Sequence, residues 1–139
     1  MDYIAEVIST FETEDGEDSM TVCCPAMYRF TPERRIIRYD EYTDEGACMH
    51  VRVVSTADGV DIIREGSRDL DLRLRLGQYF SREYNVGYGL IPLEYVARHI
   101  EDCLDPTGGT LTVKYKIDIG GVGSFNTVVI NVKKTETTQ

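Results

Sequence analysis

Leu70-Asp71-Leu72-Arg73-Leu74-Arg75-Leu76 carries an apolar residue at every second position and a charge at each position between. On a helix these leucines would spread around the axis; on an extended strand every Leu shares one face and every charge the other. The stretch therefore predicts a half-buried strand. Leu111, Val113, Tyr115, Ile117 and Ile119 repeat the pattern against Thr112, Lys114, Lys116 and Asp118, and Val128, Ile130 and Val132 repeat it against Thr127, Val129 and Asn131. Turn signals punctuate the chain at short intervals: Glu14-Asp15-Gly16, Thr31-Pro32-Glu33, Asp44-Glu45-Gly46, Asp58-Gly59, Gly87-Tyr88-Gly89, Pro106-Thr107-Gly108-Gly109 and Gly120-Gly121. Such spacing predicts an all-β meander of about ten strands. A long meander must dispose of its edges, and a closed or nearly closed antiparallel up-and-down barrel removes them.

One segment is ambiguous. Over residues 92–104, Leu93, Val96, Ala97, Ile100 and Leu104 fit helical as well as extended spacing, and Pro92 is acceptable in a first helical turn. A strand is expected, with a short helix as the alternative.

With 139 residues, 42% of them apolar, the chain can bury one core and is too short for two comfortable ones. One domain over residues 1–139 is expected, ending in a loose tail from about residue 134. Fifteen Lys and Arg against 24 Asp and Glu leave a net charge of −9. That balance argues against nucleic acid or an anionic membrane as partner, because neutralising phosphates takes clustered cations. No apolar run approaches the roughly 20 residues of a transmembrane helix, so a cytoplasmic protein is expected. Cysteine usage agrees with a reducing compartment: Cys23 and Cys24 point to opposite faces of a strand, no C-x-x-C pair exists, and Cys48 and Cys103 stand apart. Only His50 and His99 could assist a metal site, so neither a metal nor a cofactor is expected.

The succession Ile37-Arg38-Tyr39-Asp40-Glu41, Ile63-Arg64-Glu65-Gly66, Tyr84 through Gly89, and Gly108-Gly109-Thr110-Leu111-Thr112-Val113-Lys114-Tyr115 resembles the YwiB-like family of uncharacterised bacterial proteins, across residues 4–133. The resemblance implies a calycin-like β-barrel, related in architecture to the lipocalins, in a family without an established activity, cofactor or substrate. Val86 stands where the family pattern has Thr, and the chain has no Trp of the kind lipocalins pack across the closed end of the barrel.

Strand parity suggests where polar groups meet. If Val60 and Ile62 face inward, so does Arg64; if Ile37 does, so do Tyr39 and Glu41; Tyr115 follows Val113, and Tyr84 shares a face with Phe80. A charge on an inner wall must be paired, because desolvating it alone costs several kcal/mol. Arg64 and Glu41 are therefore natural partners for each other or for a ligand. The leading expectation is a non-catalytic barrel that binds a small, partly apolar, anionic molecule, with Arg64 and Glu41 as polar contacts and Tyr39, Tyr84 and Tyr115 as walls. The alternative is a barrel filled by its own side chains that acts as an interaction module. An enzyme ranks third, since no catalytic set assembles. Cys48 and His50 share a face, but it is the outer one, and no third residue stands out to orient them. The adjacent carboxylates Asp40 and Glu41, Asp44 and Glu45, and Glu101 and Asp102 lack the convergence that acid–base chemistry needs. Gly120-Gly121-Val122-Gly123-Ser124 joins two strands and reads as a hairpin, without the helix a phosphate cradle requires. The first 20 residues hold seven acids and no base, a contrast that suits pairing of the first strand with the Lys-bearing last ones. Exposed tyrosines and an incomplete seam are compatible with a homodimer.

Overall fold

Once one face of each strand is apolar, the strands must curl so that all those faces share a single interior. The computed structural model describes residues 3–42, 46–66, 70–85 and 88–135. Its strands are β1 (Tyr3–Thr13), β2 (Gly16–Phe30), β3 (Arg35–Tyr42), β4 (Cys48–Thr56), β5 (Gly59–Gly66), β6 (Leu70–Leu74), β7 (Tyr79–Asn85), β8 (Leu90–Asp105), β9 (Gly108–Ile119) and β10 (Val122–Lys134). They form one antiparallel row, β6-β5-β4-β3-β2-β1-β10-β9-β8-β7. Pairing of β1 with β10 wraps the row into a nearly closed barrel whose unsealed seam lies between β6 and β7. No helix among the described residues is long and apolar enough to cross a membrane. Asp44, Glu45, Asp69, Val86, Gly87 and the tail beyond residue 135 lie outside the described residues.

The interior is packed. Val51, Val53, Val60, Ile62, Leu72, Leu74, Leu93, Leu111, Val113, Tyr115, Ile117, Val128, Ile130 and Val132 are all buried in one cluster. Leu76 departs from the expected pattern: β6 stops at Leu74, and Leu76 beyond it is exposed. The segment 92–104 is strand, and a bulge explains its helical look. The register shifts between Ala97 and His99, so inward positions run Leu93, Tyr95 and Ala97 and then Ile100, Asp102 and Leu104. One extra residue in a period-two pattern produces intervals of three and four, which imitate a helix.

β2 serves two neighbours along different parts of its length. It pairs with β1 over Gly16–Ala26 but with β3 only over Met27–Phe30. The ladder to β3 fails next to Pro25, which has no N–H to extend it. β3 runs on to Tyr42, so β2 and β3 diverge.

Two glycines in the family-like motifs have steric reasons. At Gly66 (φ +150°) a Cβ would fall on the Cys48 carbonyl oxygen, and at Gly109 (φ +122°) on that of Cys103. Strand backbones approach too closely there for any side chain.

Arg73 on β6 and Arg75 just beyond it form no positive stripe with Lys114 and Lys116 of β9. β6 and β9 are not neighbours, and Arg75 pairs with Asp61 at 2.9 Å. β1 does meet β10, where Asn131 Nδ2 donates to Glu6 Oε1 at 2.9 Å.

Side chains bridge the seam. The Arg73 N–H donates to the Tyr95 hydroxyl oxygen at 2.9 Å, and the Arg82 guanidinium donates to the Asp71 carbonyl at 2.6 Å. Tyr95, stacked on Phe80 with ring centres 5.4 Å apart, thus satisfies an edge group of β6 from β8. Tyr95→Phe keeps the packing and orphans that N–H. It is expected to lower stability by about 1 kcal/mol, read from the urea midpoint with the transition slope unchanged.

Candidate functional site

Three of the five residues singled out from parity come together. Tyr39, Val51 and Arg64 form one cross-strand row on the inner face of β3, β4 and β5, and Glu41 follows Tyr39 two residues on. Arg64 Nη2 stands 3.7 Å from Glu41 Oε1, with 23% and 34% of the side chains exposed. This ion pair is partly solvated, which limits its strength. Burial first, then the Glu41 charge, hold the Tyr39 hydroxyl protonated well above the ordinary tyrosine range despite the opposing Arg64 charge. Cys24 on β2 belongs to the same neighbourhood; burial, then Glu41, push its thiol up. Tyr84 and Tyr115 stand on β7 and β9, in the other half of the row: Tyr84 packs half-buried against the core and Tyr115 is buried within it.

A second interior cluster was not anticipated. Arg35 on β3, the Cα partner of Ser55 on β4, reaches Asp102 on β8. Its Nε and Nη2 donate to Asp102 Oδ2 at 3.0 and 2.6 Å, Ser55 Oγ donates to the same oxygen at 2.6 Å, and the Leu104 N–H donates to Oδ1 at 2.9 Å. Burial is the largest influence on this carboxyl and pushes it up, but the hydrogen bonds from Ser55, Leu104 and Arg35, with the Arg35 charge, outweigh it and leave it below its ordinary value. Nearby, Tyr28 donates to the Asp105 carbonyl at 2.7 Å. Burial, followed by the Asp102 and Asp105 charges, pushes its hydroxyl up to about 12. This clasp ties β2, β3 and β4 to β8 across the interior. Arg35 shares the parity of Ile37, which was a usable signal; Asp102 was hidden by the bulge.

Where β2 and β3 diverge, a cleft of about 780 Å³ opens. Val22, Cys23, Pro25 and Met27 line it from β2; Tyr39, Asp40 and Tyr42 from β3; His50 and Val51 from β4; Ile63 and Glu65 from β5. Arg38 and Arg52 also line it. They are Cα partners on β3 and β4, and neither has an acid within ion-pair distance among the described residues. Arg64, Glu41, Tyr84 and Tyr115 are not in its wall.

Cys48 and His50 lie on the outer face as expected, yet a third residue does join them. Asp40, the Cα partner of His50, places Oδ1 2.7 Å from His50 Nδ1. One donor atom from each of Asp40, Cys48 and His50 lies within 4.8 Å of the others. All four cysteines are free thiols.

These features define a ten-stranded antiparallel β-barrel with a packed interior and a cleft in its wall. The profile of DUF1934, a domain of unknown function, matches residues 6–130, and the chain belongs to that family. Among solved structures, the ywiB protein from Bacillus subtilis is similar in fold, with a TM-score of 0.83 over 96% of this chain and 92% of that one at 18% sequence identity. The YwiB-like resemblance drawn from the motifs is borne out. No curated protein sequence matches the chain.

Asp102→Asn would leave Arg35 without its counter-charge in an enclosed site, at an expected cost of about 3 kcal/mol, measured by urea denaturation at neutral pH. The folded carboxyl titrates below its unfolded value of about 3.9, so its contribution is present above that pH and is lost as pH falls through the folded value. The stabilities of Asp102→Asn and the parent are expected to converge in acid. At the alkaline end the sign reverses. Tyr28 titrates higher folded than unfolded, so its contribution is complete below pH of about 10 and lost between about 10 and about 12. Tyr28→Phe is expected to flatten the stability profile across that window.

Proposed function

We propose that this protein binds a small, partly apolar, anionic molecule in the cleft between β2 and β3, with Arg38 and Arg52 as its anchors. The arginine pair carries the reading. Like charges directly opposite each other on adjacent strands destabilise a sheet, and here neither is neutralised by an acid among the described residues. Two adjacent guanidinium groups can both donate to one carboxylate, sulfonate or phosphate. The cleft supplies the rest: Val22, Met27 and Ile63 offer apolar contact, and its volume falls in the range of small-molecule sites.

The Arg64–Glu41 pair takes a supporting part. It sits beside Tyr39, the one of the five parity-derived residues in the cleft wall. The packed interior equally fits a filled barrel working through its surface, and ligand binding separates the two readings. Anilinonaphthalene sulfonate combines an apolar body with one anionic group and serves as the probe. Arg38→Ala/Arg52→Ala is expected to weaken its binding about tenfold or more, the equivalent of losing one charge-assisted hydrogen bond. Arg64→Met is expected to change it much less. Unchanged binding in the double variant would contradict the reading.

A further inference from the structure

We infer that Asp40, Cys48 and His50 form a binding site for a borderline divalent metal ion, zinc being the best match, on the outer face beside the cleft. The three residues come from paired strands rather than loops. Asp40 and His50 are Cα partners, and Cys48 lies two residues from His50, so the sheet itself aims all three side chains the same way. Their donor atoms already converge within 4.8 Å. Tetrahedral zinc, with bonds of about 2.0–2.3 Å, needs its ligands about 3.3–3.7 Å apart. The His50–Asp40 contact of 2.7 Å therefore opens by less than about 1 Å to admit the ion.

The donor set selects the ion. One thiolate, one imidazole and one carboxylate mix soft, borderline and hard ligands, which suits zinc better than calcium or magnesium, whose sites are built from oxygen. Binding transfers the Cys48 thiol proton to solvent, and the thiolate, the carboxylate and the neutral imidazole together neutralise the dication. Tyr42, the Cα partner of Cys48, flanks the thiol on the same face of the sheet. Three protein ligands leave one position open, as in zinc sites that accept an external ligand. Asp40 and His50 also line the cleft, so that position is reachable from it. Glu65, the Cα partner of His50 on its other side, lines the cleft as well.

The site does not depend on the arginine anchor, and its test reads the metal alone. The reduced full chain is titrated with Zn²⁺ against a chromogenic chelator, and with Co²⁺ for the sulfur-to-cobalt charge-transfer absorption. Roughly one ion per chain is expected, with the cobalt band present. Cys48→Ser, His50→Ala and Asp40→Asn are each expected to weaken binding about 10- to 100-fold, and Cys48→Ser to abolish the band. Cys23→Ser, which removes an exposed thiol in the cleft, should leave zinc binding unchanged. No uptake by the reduced chain, parent-like affinity in His50→Ala, or loss of the band in Cys23→Ser rather than Cys48→Ser would each overturn the site.

Discussion

Strand β2 does not pair with both neighbours along its whole length, and the cleft in the barrel wall, with the charged groups that line it, follows from where the second pairing stops. Its first part is held to β1 over Gly16–Ala26, and only Met27–Phe30 continues onto β3. Pro25 marks the boundary because it brings no N–H to a ladder. Past that point β3 keeps only β4 as a partner, its outer face stays accessible, and the cleft opens at the split. Arg38, Asp40 and Tyr42 are the outward residues of β3 in this stretch, so the alternation that fills the core also delivers charged and aromatic groups to the cleft.

The interior is organised differently. Its centre is aliphatic and aromatic, and its charges are paired: Arg35 with Asp102 in a closely bonded clasp, Arg64 with Glu41 in a looser and wetter one. The difference follows from enclosure. Asp102 accepts four hydrogen bonds and is held ionised against burial, whereas Glu41 and Arg64 remain partly open to water. The first acts as a tie between the two halves of the barrel. The second supports Tyr39 from inside.

Much of this architecture was legible in the sequence. Leu72, Leu74, Leu111, Val113, Val128 and Ile130 announced their strands by alternation and are buried as that alternation requires. Parity also brought Tyr39, Glu41 and Arg64 onto one wall. It failed where a rule of local spacing met a tertiary irregularity. The bulge between Ala97 and His99 disguised β8 as a helix and turned Asp102 inward, so an interior carboxylate looked like one of two adjacent surface acids. Tyr84 and Tyr115 have the inward parity expected of them, but parity says nothing about which strands face each other, and they lie in the other half of the row. Asp40 could join His50 only once the register of β3 against β4 was known. Composition and spacing carry no register, which is why the outer-face cluster was invisible beforehand.

The account places ligand contact in the wall of the barrel rather than at its centre. Amide NMR of the full chain during titration with anilinonaphthalene sulfonate tests this most directly, since it reports position by position. The account predicts shifts concentrated at Val22, Met27, Arg38, Arg52 and Ile63, with Leu111, Val113 and Tyr115 left in place. Shifts centred on Leu111, Val113 and Tyr115, with those of the cleft unmoved, would contradict it.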